Sequence, residues 1–205
     1  MINPKRYICT SNSCTVTYDN INLTGGNMAE EKPGRTEEDI LLNIKAQLTK
    51  RASGTDLKEG KIYIVYEKKP KLSFQLFFDL LKSGKTGICV SRIKPETLAE
   101  EYGASPTIYI WLTSIPGKYH IPPTSIGILT RYVTELVHKN PGCVLVLDGF
   151  ETLVMNNKFL PVMRMIEMLY DEVVRTSSIV IVPVIKESLS EQELAYLTRN
   201  AEVIE

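Results

Sequence analysis

From Lys61 onward, short runs of near-continuous apolar residues alternate with longer stretches of helical period. The runs are "KIYIVYE", "TGICVSR", "TIYIWLT", "GCVLVLDGF" and "SSIVIVPV", with Gly, Pro or Ser close by as breakers. Runs of this kind predict strands buried on both faces, as a parallel sheet requires. Between them lie "KLSFQLFFDLLKSG", "PETLAEEYG", "TSIGILTRYVTELVHKN" and a long helix from about Lys158 to Arg175. Pro95 opens the second of these, and Thr124 or Ser125 caps the third. A last helix begins at Ser190, where Glu193 completes a capping box, and "AEVIE" predicts a short final strand. Strands alternating with helices in this way predict a three-layer α/β/α domain over residues 60–205, with a mainly parallel sheet of five or six strands.

Upstream the pattern changes. Residues 1–35 are rich in Asn, Thr, Ser and Gly and predict a flexible or weakly ordered segment, with "TVTYDNINL" as one short strand. Residues 36–59 predict an amphipathic helix and a linker. Thr36 and Asp39 start it, Ile40, Leu41, Ile44 and Leu48 form its apolar stripe, and Gly54 closes it. Such a helix is expected to dock on the main domain or to pair with another copy. The expected partner is therefore a protein or a second copy of this chain.

Charge narrows the classes. Lys and Arg together number 24, Asp and Glu together 24, so the formal net charge is zero. A balance of this kind argues against a general nucleic-acid or anionic-membrane binder, both of which need a positive field. No window approaches the roughly 18 apolar residues of a membrane span, and "MINPKRYICTSNSC" lacks a signal-peptide core. The expectation is a soluble, cytoplasmic protein. Cys89 and Cys143 lie in apolar runs and are expected as reduced core residues. Cys9 and Cys14 lie in polar "CTSNSC", which suits a surface disulfide or two free thiols better than zinc. No metal is expected.

"SGKTG" contains Gly84-Lys85-Thr86, the letters that end a phosphate-binding loop. A working loop runs strand, then G-x-x-x-x-G-K-[ST], then helix, so that backbone N–H groups and the helix N-terminus face the phosphates. Here Asp79 stands where the first glycine belongs, and the motif ends a helix and enters a strand. Gly84 therefore reads as a helix stop, with Lys82 and Lys85 near the carbonyl end. The proper place, after the first strand, is "YEKKPKLSFQ", which has no glycine. Lys68, Lys69 and Lys71 offer only loose positive charge there.

The strongest chemical candidate is Asp148, at the carboxyl end of a buried strand, where open α/β sheets bind ligands. In phosphate-loop enzymes an acid at that point holds Mg²⁺, and Glu151 follows as a second acid. The alternative is that Asp148 accepts backbone N–H groups in an Asp-Gly turn. A third candidate is the loop in "YIWLTSIPGKYHIPP", carrying Thr113, Ser114, Lys118 and His120, as a ligand loop. A hydrolase triad is disfavoured, since there is no G-x-S-x-G elbow and His120 precedes Asp148. Met163, Met165 and Met168 on the long helix indicate core or a helix-facing contact.

The stretches "KIYIVYEKKPKLSFQLFFDLLKSGKTGICVSRIKPETLAEEYG", "IYIWLTSIPG", "VLVLDGFETLVMNNKFLPVMRMIEMLYDEV" and "SSIVIVPVIKESLSEQELAYL" resemble the archaeal family labelled domain of unknown function 835. Leu147 to Glu151, with Asn157 and Phe159 downstream, is the most specific part, and the resemblance covers about residues 60–205. It implies a distant relative of the RecA/KaiC-type ATPase core that lacks the phosphate loop. On that view Asp148 occupies the Walker B position and "SSIVIVPV" resembles the sensor strand. The implied function is a non-catalytic regulatory or protein-interaction module without a cofactor. The alternative is a weak Mg–ATP binder or ATPase using Asp148, Glu151, Lys68, Lys69 and Lys71.

Overall fold

The computed structural model describes residues 7–10, 13–16, 57–103 and 108–205. Two short strands, β1 (Tyr7–Thr10) and β2 (Ser13–Val16), pair antiparallel, with Cys9 opposite Cys14 in the register. Of the strand expected over "TVTYDNINL", only Thr15 and Val16 fall in β2; the rest lies outside the described residues. The helix expected over residues 36–59 also lies outside them, up to Asp56.

The main domain is built as its periodicity requires. Its elements are β3 (Lys61–Tyr66), α1 (Lys71–Lys82), β4 (Gly87–Ser91), α2 (Pro95–Tyr102), β5 (Ile108–Leu112) and β6 (His120–Ile121). They continue with α3 (Ile126–Lys139), β7 (Val144–Leu147), α4 (Phe150–Asn157), α5 (Phe159–Thr176), β8 (Ile179–Val184), α6 (Glu191–Leu197) and β9 (Glu202–Ile204). The sheet has seven strands in the order β6-β5-β4-β7-β8-β3-β9, and every neighbouring pair is parallel. The sheet has one strand more than the five or six expected: β9 is the short final strand expected over "AEVIE", and β6 adds an unexpected one at the other edge. β6 escapes periodicity because it is only His120–Ile121.

Two apolar layers cover the sheet. On one face Phe74, Phe77 and Phe78 of α1 and Leu98 of α2 pack on Tyr63, Val65, Cys89, Val146 and Ile181. On the other, α3, α4, α5 and α6 pack on Ile62, Ile64, Val90, Leu145, Leu147, Val180 and Val182. Alternate strand residues serve opposite layers, which is why the central strands read as continuous apolar runs. Cys89 and Cys143 are free and buried.

Helix ends follow their local chemistry. Pro95 occupies the first turn of α2, and Ser190 with Glu193 forms a complete capping box on α6. Ser125 precedes α3 but makes no side-chain capping bond. Gly84 has φ of 90°, and its N–H donates to the Leu81 carbonyl at 2.9 Å. It is the left-handed stop of α1, as the sequence predicts. No helix among the described residues is long and apolar enough to cross a membrane.

Candidate functional site

Because α1 and α2 lie on one face and α3 to α6 on the other, the winding reverses between β4 and β7 and again between β8 and β3. At such reversals a crevice opens beyond the carboxyl ends of the strands. Asp148 follows β7 at the first and Glu67 follows β3 at the second.

Asp148 is held by its own backbone surroundings. Its Oδ2 accepts from the Ser91 hydroxyl at 2.6 Å, and the N–H groups of Arg92 and Gly149 also point at the carboxylate. Ser91 is fully buried and its Oγ accepts in turn from the Ile93 N–H at 2.9 Å. Beside it the Tyr109 hydroxyl donates to the Ile93 carbonyl and the Trp111 indole N–H to the Arg92 carbonyl at 3.0 Å. Asp148 thus ties the end of β7 to the β4–α2 turn, and that turn to β5.

Burial pushes the Asp148 pKa up, while the hydrogen bonds from Ser91, Arg92 and Gly149 pull it down. The nearby charge acting on it is Glu67, which raises it further. An aspartate with a raised pKa binds a proton more tightly folded than unfolded. Stability therefore falls as pH rises from the ordinary value of 3.8 through the folded value. Asp148→Asn mimics the protonated form. The melting temperature of wild type minus that of Asp148→Asn is expected to be highest at low pH and to shrink as pH rises. Melting curves between about pH 3 and 7 check this, and a difference that grows with pH would overturn it.

Glu67 sits half-buried at the start of α1. Its Oε2 accepts from the Leu72 N–H at 2.9 Å, and its Oε1 from the Ser73 N–H at 3.0 Å and from the buried Ser73 hydroxyl. Pro70, which precedes α1, has no side chain able to cap it, and makes no capping bond. The carboxylate of Glu67 takes that role from the strand end, answering the positive end of the helix.

Glu151, in the first turn of α4, accepts from the Ile185 N–H at 2.7 Å and so fastens α4 to the chain leaving β8. Lys68 lies 3.9 Å from Glu187, both largely exposed, and Lys69 and Lys71 are exposed. An ion pair as exposed as that of Lys68 contributes little. Above Tyr66 the Lys186 ammonium stands 4.9 Å from the ring and 3.2 Å from Glu205. Lys85 of the misleading "GKT" is at the amino edge, the opposite end of the sheet, paired with Glu59 at 2.6 Å.

The loop after β5 is internally braced. Thr113 Oγ1 accepts from the Ile115 N–H at 3.2 Å, and His120 Nδ1–H donates to the Ile115 carbonyl at 3.0 Å. The His120 ring meets Trp111 edge-on at 5.0 Å and lies so close to Gly117 that an added Cβ would be 2.3 Å from its Cε1. Ser114 and Lys118 are exposed, Lys118 above the Tyr119 ring at 4.9 Å. His120 is therefore engaged as a strut of the loop. Among the described residues no group of three or more His, Cys, Asp or Glu is placed to hold a metal.

A family model described as "Protein of unknown function (DUF835)" matches residues 66–200. The chain belongs to this family. The DUF835 span contains Glu67, Ser73, Ser91, Asp148 and Glu151, so the three acids of the carboxyl edge and their serine partners lie within it. The β1–β2 hairpin and the amphipathic segment fall outside the DUF835 match. A comparison with curated proteins gave no match.

Sequence reasoning finds Asp148 and Glu151 but misses Glu67, Ser73 and Ser91. A signal for Glu67 exists: α1 begins at "PKLS" without a capping residue, and a carboxylate closes the strand just before it. Ser91 has none, because a serine at a strand end is ordinary.

Proposed function

We propose that this chain is a non-catalytic, RecA-like regulatory module that acts by contacting a protein partner or another copy of itself. The observation that carries this reading is Glu67. A phosphate loop places phosphate against the first N–H groups of the helix after the first strand. Here those groups, Leu72 N–H and Ser73 N–H, are engaged by the chain's own carboxylate. A phosphate arriving there meets Glu67 and, nearby, Asp148, two acids where a nucleotide needs cations. Two further features support the RecA-like scaffold. β8, which resembles the sensor strand, lies between β3 and the Asp148 strand β7, and Asp148 closes a buried strand at a reversal of winding.

Contact surface is available elsewhere. Met155 is 86% exposed, Leu160 67% and Met168 52%, on adjoining helices α4 and α5. With the stripe of Ile40, Leu41, Ile44 and Leu48, these are the two contact elements of the chain.

Calorimetric titration with Mg–ATP at millimolar concentration is expected to give no binding heat for wild type. Saturable heat that Asp148→Asn abolishes would replace this reading with that of a nucleotide binder using Asp148, Glu151 and the lysines at 68, 69 and 71. Glu67→Ala is expected to cost about 1–2 kcal/mol by leaving the α1 donors without their acceptor. Urea unfolding measures it, and an unchanged midpoint would remove Glu67 from its capping role.

A further inference from the structure

Helices α3 and α5 pack side by side, and a groove of about 340 Å³ lies between them. Its walls include Ile126, Thr130 and Arg131 of α3 and Arg164, Met165 and Met168 of α5. Met165 is buried beneath it, whereas Met168 is 52% exposed. The two arginines, one in each wall, are exposed and form no ion pair among the described residues. No acid lines the groove. Glu135, one turn from Arg131 and within its field, is taken by Lys139 at 2.6 Å. Glu172 lies against Arg175 and 3.5 Å from His138, and Glu167 faces the hollow on the other side of α5. Asp171 is exposed outside the lining.

The opposite face of the sheet carries the reverse charge. There α2 buries Leu98 alone, so the line farthest from Leu98 is its outer ridge. Glu96 and Glu100 stand on that ridge, one turn apart. Both are exposed and form no ion pair among the described residues. Thr97 and Ala99, on the two shoulders of the ridge, are small. Glu101 is engaged with the Tyr102 hydroxyl, and Lys94, just before the helix, stands over the Trp111 ring at 6.0 Å.

We propose that the α3–α5 groove receives α2 of a second copy of this chain. The inference rests on the reading of the chain as a contact module and names the partner as itself. A helix ridge with small shoulders enters the groove between two helices. Glu96 and Glu100 then meet Arg131 and Arg164, whose guanidinium groups take carboxylates through paired N–H donors. Met168, unbranched and exposed, adapts to the incoming ridge. The formal net charge is zero, so no overall repulsion keeps two copies apart. Because α2 and the groove lie on opposite faces of the sheet, one neighbour cannot engage both. The contact is therefore head-to-tail, and it repeats from copy to copy.

Light scattering on the full chain tests this. At low salt the wild-type mass is expected to pass that of a dimer as concentration rises from about 1 µM to about 1 mM. It should fall back as salt rises from about 0.05 M to about 0.5 M. Arg131→Glu with Arg164→Glu is one variant, and Glu96→Arg with Glu100→Arg is the other. Each should raise the concentration of half-association about tenfold or more. Mixed in equal amounts they should assemble again, because each supplies the patch that the other lacks. All four positions are exposed, and the neutral pair Arg131→Gln with Arg164→Gln repeats the test should charge reversal unfold the chain. A monomer at every concentration, a mass that stops at the dimer, or variants that do not restore one another would overturn the inference. A monomer that gives no heat with Mg–ATP leaves the module reading in place with another protein as partner. Saturable heat that Asp148→Asn abolishes bears on that reading alone.

Discussion

Asp148→Ala is expected to lower the melting temperature by about 6–12 °C, from a loss of about 3 kcal/mol in a chain of this size. The substitution strips the acceptor from the Ser91 hydroxyl and from the N–H groups of Arg92 and Gly149. Each buried donor left alone costs about 1–3 kcal/mol. Ser91 is fully buried, so no water replaces the carboxylate there, whereas the half-buried Asp148 position lets water reach part of the gap. Part of the loss is offset, because burying the carboxylate was itself costly, as its raised pKa indicates. Thermal unfolding with and without Mg–ATP reads both issues together. A melting point within about 1 °C of wild type would mean that Asp148 ties nothing down.

Gly149→Ala is the second large effect, about 2–3 kcal/mol. Gly149 has φ of 96°, a left-handed conformation that side chains resist. A Cβ there would also stand 3.3 Å from Arg92 Cγ and 3.3 Å from Leu112 Cδ1. Arg92 is exposed and can move; Leu112 is fully buried in the core and cannot. Gly84 separates the two causes, since its φ is 90° but nothing lies within 4 Å of an added Cβ. Gly84→Ala should therefore cost backbone strain only, about 1–2 kcal/mol. Equal losses in the two variants, measured by urea unfolding, would show that the Leu112 contact is relaxed without cost.

Together these residues describe a carboxyl edge fastened from within. Asp148 joins β7 to the turn after β4, Glu151 joins α4 to the end of β8, and Glu67 joins the end of β3 to α1. Each acid stands where an open α/β sheet takes ligands, and each accepts backbone or hydroxyl hydrogens from its own chain. The same positions that make such a sheet a binding scaffold serve here to lock its loops.

Strand and helix content was legible in the sequence because burial on both faces leaves a local trace. "KIYIVY" and "IVIVPV" have no polar face to show, and the 3.6-residue stripe of α5 is unmistakable. Gly84 was legible as a stop because a glycine between a helical period and a strand run is a common left-handed helix end. Asp148 was legible as a residue at a strand end. What decided its role was not local. Besides the adjacent Gly149 N–H, its donors come from Ser91 and Arg92, far back in the chain, and those reach it only because β4 and β7 are neighbours in the sheet. Glu67 reads in the sequence as one more charge before "KKP"; the fold turns it onto the N-terminus of α1. Periodicity fixes which residues face a core, since that depends on neighbours along the chain. Strand order, and with it which acid meets which donor, depends on long-range packing that leaves no local mark.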